Sequence, residues 1–302
     1  MKNAFLVVCA MALCGGCSGG VGSVGLADRA TAPANATPDL PAIEHALFVS
    51  NLGNEVFVLR GKPYHVTREI THGVHGSDGL WVDRHGNLYV SNINARNVTE
   101  YLRGGRLPIC RYSDRLIDPI DVTTDDQGNV YVDDFNNFRP TGYIDKYAQC
   151  HNKVIARHAI KSGPEGVAVD SAGDLFVAYY NGAFGGFEEF LKGKSKPKLL
   201  TAVVTKPGGI VLDKKGNLIA DDQAGSIDII PPPYAKPKLL VGGLYDPFRL
   251  ALNKDETRLF SADSGSASVT IYSYPDADLL ETVSGGSFTT VEGVAISPDA
   301  VF

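Results

Sequence analysis

One hairpin motif recurs along the chain and restricts the folds open to it. Its clearest copy is SDGLWVDRHGNLYVSN, from Ser77 to Asn92, in which residues 80–82 and 88–90 have the composition of paired strands. The four residues between them, Asp83 to Gly86, form a tight turn in which the glycine can take the left-handed position. The motif therefore predicts a β-hairpin.

Copies of this hairpin follow one another at a nearly constant interval. A period of about 40 residues that carries strand signals only is typical of β-propeller blades. The successive differences are 42, 45, 43, 40 and 44 between the first turn residues Asp83, Asp125, Asp170, Asp213, Asn253 and Ser297. Six copies predict an all-β, six-bladed propeller with four antiparallel strands in each blade.

The two ends of the repeat region are incomplete in complementary ways. Residues 46–51 and 55–60 have the pattern of second and third strands without an inner strand, whereas residues 291–297 provide an inner strand with no blade after it. Pairing the two ends would close the ring and remove the exposed strand edges. We therefore expect the C-terminal strand to pair with the N-terminal strands in a propeller that spans residues 46–302.

The region before the repeats has the features of an export signal. Residues 1–17 contain Lys2, a short apolar stretch and Cys14-Gly15-Gly16-Cys17. They resemble a bacterial lipoprotein signal, which implies lipidation of Cys17, although Cys14 stands where a leucine is usual; cleavage nearby without lipidation is the alternative. Residues 18–45, rich in Gly, Ala, Thr and Pro, indicate a flexible tether. We expect an exported protein in the periplasm or at the cell surface, attached to the membrane only through this lipid.

Charge and cysteine content indicate which ligands and which cellular compartment suit the protein. A net charge of −6 with scattered basic residues argues against nucleic-acid binding, and the basic run 192–198 is typical of a solvated outer loop. Cys110 and Cys150 each follow a predicted third strand, which predicts like positions on neighbouring blades. In an oxidising compartment they either form a disulfide or remain two free thiols. We expect a monomer.

The repeat resembles known propeller families. Its form PEGVAVDSAGDLFV, from Pro164, is similar to NHL repeats, and SDGLWVDRHGNLYV and VEGVAISPD are similar to the related gluconolactonase (senescence-marker) family. The resemblance implies that the loops leading into the inner strands lie at the mouth of the central channel, together with those joining second to third strands. Both families contain enzymes and binding proteins.

Aligning the six repeats brings several acids to this mouth. One aligned position holds Asp78, Ile120, Glu165, Gly208, Phe248 and Glu292, and the next holds Gly79, Asp121, Gly166, Gly209, Arg249 and Gly293. Carboxylates that converge on one axis predict a hard cation such as Ca²⁺ or Mg²⁺. Its ligands would be Asp78, Glu165 and Glu292, with Asp121 as a ligand or support, and Arg249 would lie away from the metal. The alternative is a hydrated acidic rim in which Arg249 pairs with one acid.

Two further groups are predicted at the same face. His75, close to His72 and Asp78, could add a ligand for a transition metal, or it could face solvent. Phe135, Asn137 and Tyr180 combine aromatic and amide groups, which suit sugars or peptides, although such residues equally pack between blades.

The sequence favours an exported, lipid-anchored module that binds a protein, peptide or carbohydrate. Its predicted ligand-binding residues are Asp121, Arg249, Phe135, Asn137 and Tyr180. The alternative is a divalent-metal-dependent lactonase or lyase, similar to gluconolactonase or virginiamycin B lyase, in which the cation polarises a carbonyl. Gluconolactonase-like enzymes hold their metal with a Glu, two Asn-type amides and an Asp, and this chain has no matching amide set. A scaffold would present a broad aromatic rim, whereas an enzyme would hold a cation in a deep pocket.

Overall fold

A computed structural model of the chain describes residues 45–136, 141–160 and 162–298. These residues form six antiparallel sheets of four strands each, which confirms the predicted six-bladed propeller. They include one short 3₁₀ helix, Leu102–Gly104. Within the same ranges, no helix has the length and apolar content needed to cross a membrane.

The first blade is built from both ends of the chain. Its inner strand is the last one, β24 (Val294–Ile296), followed outwards by β1 (Leu47–Ser50), β2 (Val56–Arg60) and β3 (His65–Ile70). The strands β24 and β1 pair through Leu47 with Ile296, Phe48 with Ala295, and Val49 with Val294. The predicted closure of the ring is therefore confirmed.

The other five blades are each continuous in sequence, with the inner strand first. Blade 2 comprises β4 (Ser77–Val82), β5 (Leu88–Asn92), β6 (Asn97–Tyr101) and β7 (Cys110–Tyr112). Blade 3 comprises β8 (Pro119–Thr124), β9 (Val130–Asp134), β10 (Gly142–Tyr147) and β11 (Val154–Ile160). Blade 4 comprises β12 (Gly163–Val169), β13 (Leu175–Tyr180), β14 (Gly185–Phe190) and β15 (Lys198–Leu199). Blade 5 comprises β16 (Pro207–Leu212), β17 (Leu218–Asp222), β18 (Ser226–Ile230) and β19 (Lys238–Gly242). Blade 6 comprises β20 (Pro247–Leu252), β21 (Arg258–Asp263), β22 (Ser268–Ser273) and β23 (Leu279–Ser284).

The recurrent aspartate stabilises its own hairpin turn. In the first copy, Asp83 Oδ1 accepts hydrogen bonds from the backbone amides of His85, at 2.8 Å, and Asn87, at 2.9 Å. Gly86 occupies the left-handed region, with φ of 84°. The same pair of side-chain to backbone bonds recurs at Asp125 and Asp213. The recurrent turn is therefore stabilised by local bonds that need no tertiary contact.

The apolar core forms a ring instead of a single centre. Six clusters of buried side chains, among the described residues, each lie between two neighbouring blades. Aromatic residues such as Phe57, Phe260 and Tyr89 are among the largest fully buried side chains. The apolar packing thus joins blade to blade and leaves the axis to polar residues.

A disulfide joins blades 2 and 3. The Cα atoms of Cys110 and Cys150 lie 5.2 Å apart and the two sulfurs are bonded. Their positions are not alike, contrary to the sequence-based expectation, because Cys110 begins β7 whereas Cys150 lies in the turn between β10 and β11. The backbone amide of Cys150 also donates to the Tyr112 hydroxyl, at 3.0 Å. The bridge therefore crosses from a strand of one blade to a turn of the next.

We expect deletion of residues 290–302 to open the ring. The deletion removes β24, so β1 would expose a buried edge of backbone amides and carbonyls and the variant would aggregate. Size-exclusion chromatography and thermal unfolding measure the outcome. Deletion of residues 299–302 alone, which retains β24, is the matched control. A longer deletion variant that stays monomeric and unfolds cooperatively would contradict this account of closure.

Candidate functional site

The order of the strands assigns every connection to one of two faces. Because neighbouring strands in a blade are antiparallel, the loops from second to third strands lie at the same end as the loops that lead into the next inner strand. We call this end the mouth face. The turns from first to second and from third to fourth strands lie at the opposite end, the far face. Glu165, for example, precedes the central part of β12 and lies towards the mouth, whereas the turn after Asp170 is on the far face.

Arg249 extends across the axis of the ring. Its Nη2 donates to the backbone carbonyl of Ile120, at 3.1 Å, on the inner strand of the opposite blade. The same nitrogen lies 3.4 Å from Asp78 Oδ1, and Nε lies 3.7 Å from Asp121 Oδ1. Nη1 donates to the Phe248 carbonyl, at 2.7 Å. With Arg249 only 3% exposed, the guanidinium fills the centre of the ring at this level.

The aligned glycines show how closely the inner strands approach one another. A Cβ atom at Gly79 would lie 2.5 Å from Asp121 Oδ1 and 2.6 Å from the Ile120 carbonyl oxygen. A Cβ atom at Gly293 would lie 2.3 Å from the Asp78 carbonyl oxygen. The positions that the sequence aligns are thus neighbours around the ring. Glycine is needed where a strand packs directly against the next one.

Two buried acids at the axis were not identified from the sequence. Asp221 accepts hydrogen bonds from the amides of Gly208 and Gly209, both at 2.9 Å. Asp133 is 0% exposed, and neither of its carboxyl oxygens has a hydrogen-bond partner among the described groups. Each is the penultimate residue of a second strand, β17 or β9. In the sequence, an Asp-Asp pair at the end of each of these two strands could have indicated them.

The Arg249 guanidinium is the counter-charge for several carboxyl groups at the axis. Burial raises the pKa of Asp78, Asp121, Asp133 and Asp221, and the charge of Arg249 opposes that rise. Burial lowers the pKa of Arg249, but the surrounding carboxylates raise it more, and it stays charged. One cation cannot fully compensate four buried carboxylates, so burial favours the protonated form of these groups.

Two further carboxyl groups lie at the mouth. Burial raises the pKa of Glu165 to about 7, against the opposing charges of Arg249 and Lys206. Burial also raises the pKa of Glu292, whose Oε1 accepts a hydrogen bond from the Ser264 hydroxyl at 3.2 Å. Both side chains therefore change charge closer to neutral pH than ordinary glutamates do. They form an acidic mouth above the closed axis.

The predicted metal ligands do not gather into one set. Within the described ranges, the group of at least three His, Cys, Asp or Glu side chains whose ligand atoms lie within 4.8 Å of one another is Glu100 with the two bonded cysteines. Arg249 is the cationic group beside Asp78. A metal ion bound by Asp78 would require the guanidinium to lie elsewhere. His75 is exposed, and its backbone amide donates to Asn92 Oδ1 at 2.9 Å.

The other predicted ligand residues are placed as follows. Asp121 is buried and accepts from the amides of Val122 and Val167, so it supports the axis together with Arg249. Phe135 is half-buried and packs over Gly163, and Tyr180 is half-buried at the end of β13. Asn137 lies outside the described residues, as do Cys17 and residues 1–44.

A second repeated signal, which the sequence analysis missed, anchors the mouth loops. Asp222 accepts hydrogen bonds from the backbone amides of Thr205, at 2.8 Å, and Lys206, at 2.9 Å. Equivalent bonds to the mouth loop that leads into the inner strand of the same blade are made by Asn51, Asn92, Asp134 and Asp263. Each stands at or just after the end of a second strand, where blade 4 has Tyr179. The mouth loops are therefore held in fixed positions.

Apolar side chains surround the acidic mouth. Five exposed large hydrophobic residues lie in mouth-face loops, and we call them the mouth ring: Leu52, Ile117, Phe184, Val203 and Tyr245. Tyr245 is 79% exposed. The remaining exposed hydrophobic residues lie on the far face or on outer strands. Phe187, three residues after Phe184, is buried in β14 and does not belong to the mouth ring.

The comparisons with known proteins show the fold alone. No family model matches the chain, and neither does any curated protein. A chain of the nidogen/laminin complex is similar over 85% of this chain and 100% of that one, with a TM-score of 0.70 and 17% identity. A gluconolactonase from Xanthomonas campestris is similar over 72% and 79%, with a TM-score of 0.60 and 17% identity. Streptogramin B lyase is similar over 79% and 73%, with a TM-score of 0.54 and 12% identity. The chain is a six-bladed β-propeller whose structural neighbours include both enzymes and binding proteins.

We expect the substitution Arg249→Met to destabilise the protein strongly. It leaves buried carboxyl groups without a counter-charge, which costs about 3–5 kcal/mol of unfolding free energy. Their pKa values rise further in the variant, so the folded state binds more protons than the unfolded state and the loss grows as the pH rises. Urea unfolding at pH 5 and pH 8 measures both effects, with exposed Arg84→Met as the control. Equal stability of Arg249→Met and the parent at pH 8 would contradict the charge balance.

The substitution Glu165→Gln should change how stability depends on pH. The folded pKa of about 7 lies above the ordinary 4.5, so protonated Glu165 adds stability below pH 4.5 that is lost as the pH rises through 7. Glutamine does not titrate, and the variant should be more stable than the parent at pH 8 by on the order of 2–3 kcal/mol. Unfolding free energies at pH 5 and pH 8 test this. The exposed Glu69→Gln should leave the pH profile of the parent unchanged.

Proposed function

We propose that the protein is a binding module whose mouth face engages a protein or peptide segment that carries basic and apolar side chains. The observation that carries this proposal is the arrangement of the mouth face. Glu165 and Glu292 lie at its centre, above an axis that Arg249 closes, and the exposed apolar mouth ring surrounds them. A basic side chain with apolar neighbours complements both features.

The closed axis favours a surface contact over a deep pocket. The Arg249 guanidinium contacts the Ile120 carbonyl, the Phe248 carbonyl and two carboxylates, and the residue is buried, so it is not accessible to a ligand at the mouth. Ligand contacts are then confined to the mouth loops. Because the carboxylates and amides at the ends of the second strands fix these loops, the face is preorganised, which lowers the entropic cost of binding.

The charges at the mouth favour a cationic partner. Glu165, Glu292 and Asp246 lie around one basic side chain, Lys206, which opposes the rise in the pKa of all three. An incoming ammonium or guanidinium group would stabilise the ionised form of Glu165. Binding of a basic segment would therefore release a proton near neutral pH. It should be tighter at pH 8 than at pH 6.

The N-terminal region forms part of the same proposal. Export, lipidation of Cys17 and the tether at residues 18–45 would hold the propeller at the cell surface or in the periplasm, as a monomer with its mouth face free for a partner. The propeller similarity to a chain of the nidogen/laminin complex is consistent with a role in protein binding. A carbohydrate that carries amino groups has the same charge and is the alternative ligand.

One observation favours a second candidate, a lactonase or lyase. A carboxyl group with a pKa of about 7 is suited to general acid–base catalysis, and Glu165 has this property at the channel mouth. In that case Glu165 would transfer the proton, and Ca²⁺ or Mg²⁺, which would have to be held by other mouth carboxylates such as Glu292, would supply a Lewis acid for the carbonyl. Turnover of a panel of lactones with either cation, abolished by Glu165→Gln, would support the enzyme instead of the binding module.

The binding proposal is tested with two designed peptides of equal length, one that alternates leucine with lysine and one that alternates leucine with glutamate. We expect only the lysine peptide to bind by isothermal titration calorimetry, and more tightly at pH 8 than at pH 6. The double variant Glu165→Gln with Glu292→Gln should weaken its binding by at least roughly tenfold.

The control is a second double variant, Asp126→Asn with Asp255→Asn, which removes two exposed acids from the turns of the far face. It should bind the lysine peptide as the parent does. Equal binding of both peptides, or an equal loss in both double variants, would overturn the assignment of the mouth face.

A further inference from the structure

A groove of about 420 Å³ lies between blades 3 and 4. It includes Gln127, Gly173 and residues 191–195 from far-face turns, and it continues along the outer part of blade 3. It is therefore at the opposite end of the molecule from the mouth loops, and the function proposed for the mouth does not use it.

Basic side chains from both blades line this groove. Blade 3 contributes Lys146, Arg157 and His158, and the turn between β14 and β15 contributes Lys192 and Lys194. The two turn lysines belong to the basic run that the sequence predicted to be a solvated loop. A Cβ atom at Gly173, in the groove wall, would lie 3.3 Å from Lys192 Nζ, so this ammonium group lies over the groove.

The contacts of these groups leave donors unused. Lys146 Nζ has three hydrogens, and the structure gives it two acceptors, the Tyr131 hydroxyl at 2.7 Å and Asp125 Oδ2 at 3.3 Å. Lys192 and Lys194 form no ion pair with the described residues. The groove thus offers the third hydrogen of Lys146 and two complete ammonium groups.

His158 adds a buried polar atom to the groove. Its Nδ1 is shielded from solvent and has no hydrogen-bond partner among the described residues. The ring packs edge-on against Phe190, with the ring centroids 4.7 Å apart, so its orientation is held. His158 also lines the groove, so a ligand bound there lies beside its ring.

Charge compensation within the groove is incomplete. Arg157 forms two bonds to Asp145, at 2.6 and 2.5 Å, so its guanidinium is already occupied. Asp125 compensates Lys146 in part. Among the residues that line the groove, the ammonium charges of Lys192 and Lys194 remain in excess; beside it, the Asp174 carboxylate accepts the Lys192 backbone amide at 2.7 Å. The local charge is therefore positive although the whole chain carries −6.

We propose that this groove binds an oxyanion group, a phosphate, sulfate or carboxylate, carried by a small ligand or by a sugar unit. Lys192 and Lys194 hold the anion at the rim, and Lys146 donates to it at the floor, beside the His158 ring. Ammonium donors at separate positions suit an oxyanion, because charge-assisted hydrogen bonds to its several oxygens can form at once.

Thermal unfolding of the purified protein with inorganic phosphate, sulfate or glucuronate tests the proposal, with ionic strength kept constant by chloride. At least one oxyanion should raise the melting temperature in a saturable manner, because it binds the native state only. Which of the three acts identifies the chemistry. In parallel, the ring resonances of His158 should shift on titration by NMR, with the same saturation.

The double variant Lys192→Ala with Lys194→Ala removes two exposed charges and should weaken the response roughly tenfold or more, as expected for lost charge-assisted bonds. Lys196→Ala with Lys236→Ala removes two exposed lysines that do not line the groove and should leave it unchanged. The mouth double variant, Glu165→Gln with Glu292→Gln, should also keep the response, which separates this site from the proposed function. The proposal is overturned if no oxyanion acts beyond chloride, or if both lysine pairs have equal effects.

Discussion

The whole propeller depends on three residue pairs between its first and last strands. Each blade packs against two neighbours through an apolar cluster, so a ring open at one point would expose two apolar surfaces and one strand edge. Pairing of Val294–Ile296 with residues 47–49 covers both apolar surfaces and pairs the strand edge. Backbone bonds from Ser50 to Gly293, at 3.0 Å, and from Ser297 to Ala46, at 2.9 Å, extend that pairing at both ends. Closure therefore links the two ends of the domain in one folding unit.

Convergence of the inner strands then decides the chemistry of the axis. Where two strands approach closely, glycine is required, as at Gly79 and Gly293. Asp121 and Arg249 occupy the same ring of positions, so their side chains must extend into the centre and find partners there. The guanidinium reaches a backbone carbonyl of the opposite blade, which makes it a cross-link as well as a counter-charge. With the centre filled in this way, recognition is left to the two faces.

The sequence predicted those features that depend on local bonds. The turn of Asp83 recurs because its side chain bonds to its own backbone, and the incomplete ends of the repeat region implied closure. Side-chain directions at the axis could not be predicted in this way. The inner strands carry register irregularities between Pro119 and Asp121 and between Pro247 and Arg249, and a bulge interrupts the alternation on which such a prediction relies.

The residues not identified from the sequence include the acids at the axis and the lysines of the groove. Asp133 and Asp221 stand on second strands, and Asp221 is held by the amides of Gly208 and Gly209 on the inner strand of its own blade. The Asp-Asp pairs were visible in the sequence, but the pattern does not indicate which of the two carboxyl groups lies at the axis. Lys192 and Lys194 had a visible pattern, but its significance depends on the Lys146 and His158 side chains of another blade. From the sequence of this loop alone, its lysines could be interpreted only as a solvated surface.

The mouth and the groove have opposite local charge, and this is compatible with one small domain. Around solvent-exposed charges, screening limits the field to about 8–10 Å at physiological ionic strength. The acids at the mouth and the lysines of the groove are attached to opposite ends of the blades, and a strand of six residues such as Gly185–Phe190 extends roughly 20 Å. Each face therefore attracts ligands according to its own side chains, and the net charge of −6 says little about either. A cationic segment on one face and an oxyanion on the other would not compete for the same surface. The rigid ring between them, closed at the axis by Arg249, gives each site a fixed geometry without requiring the other to be occupied.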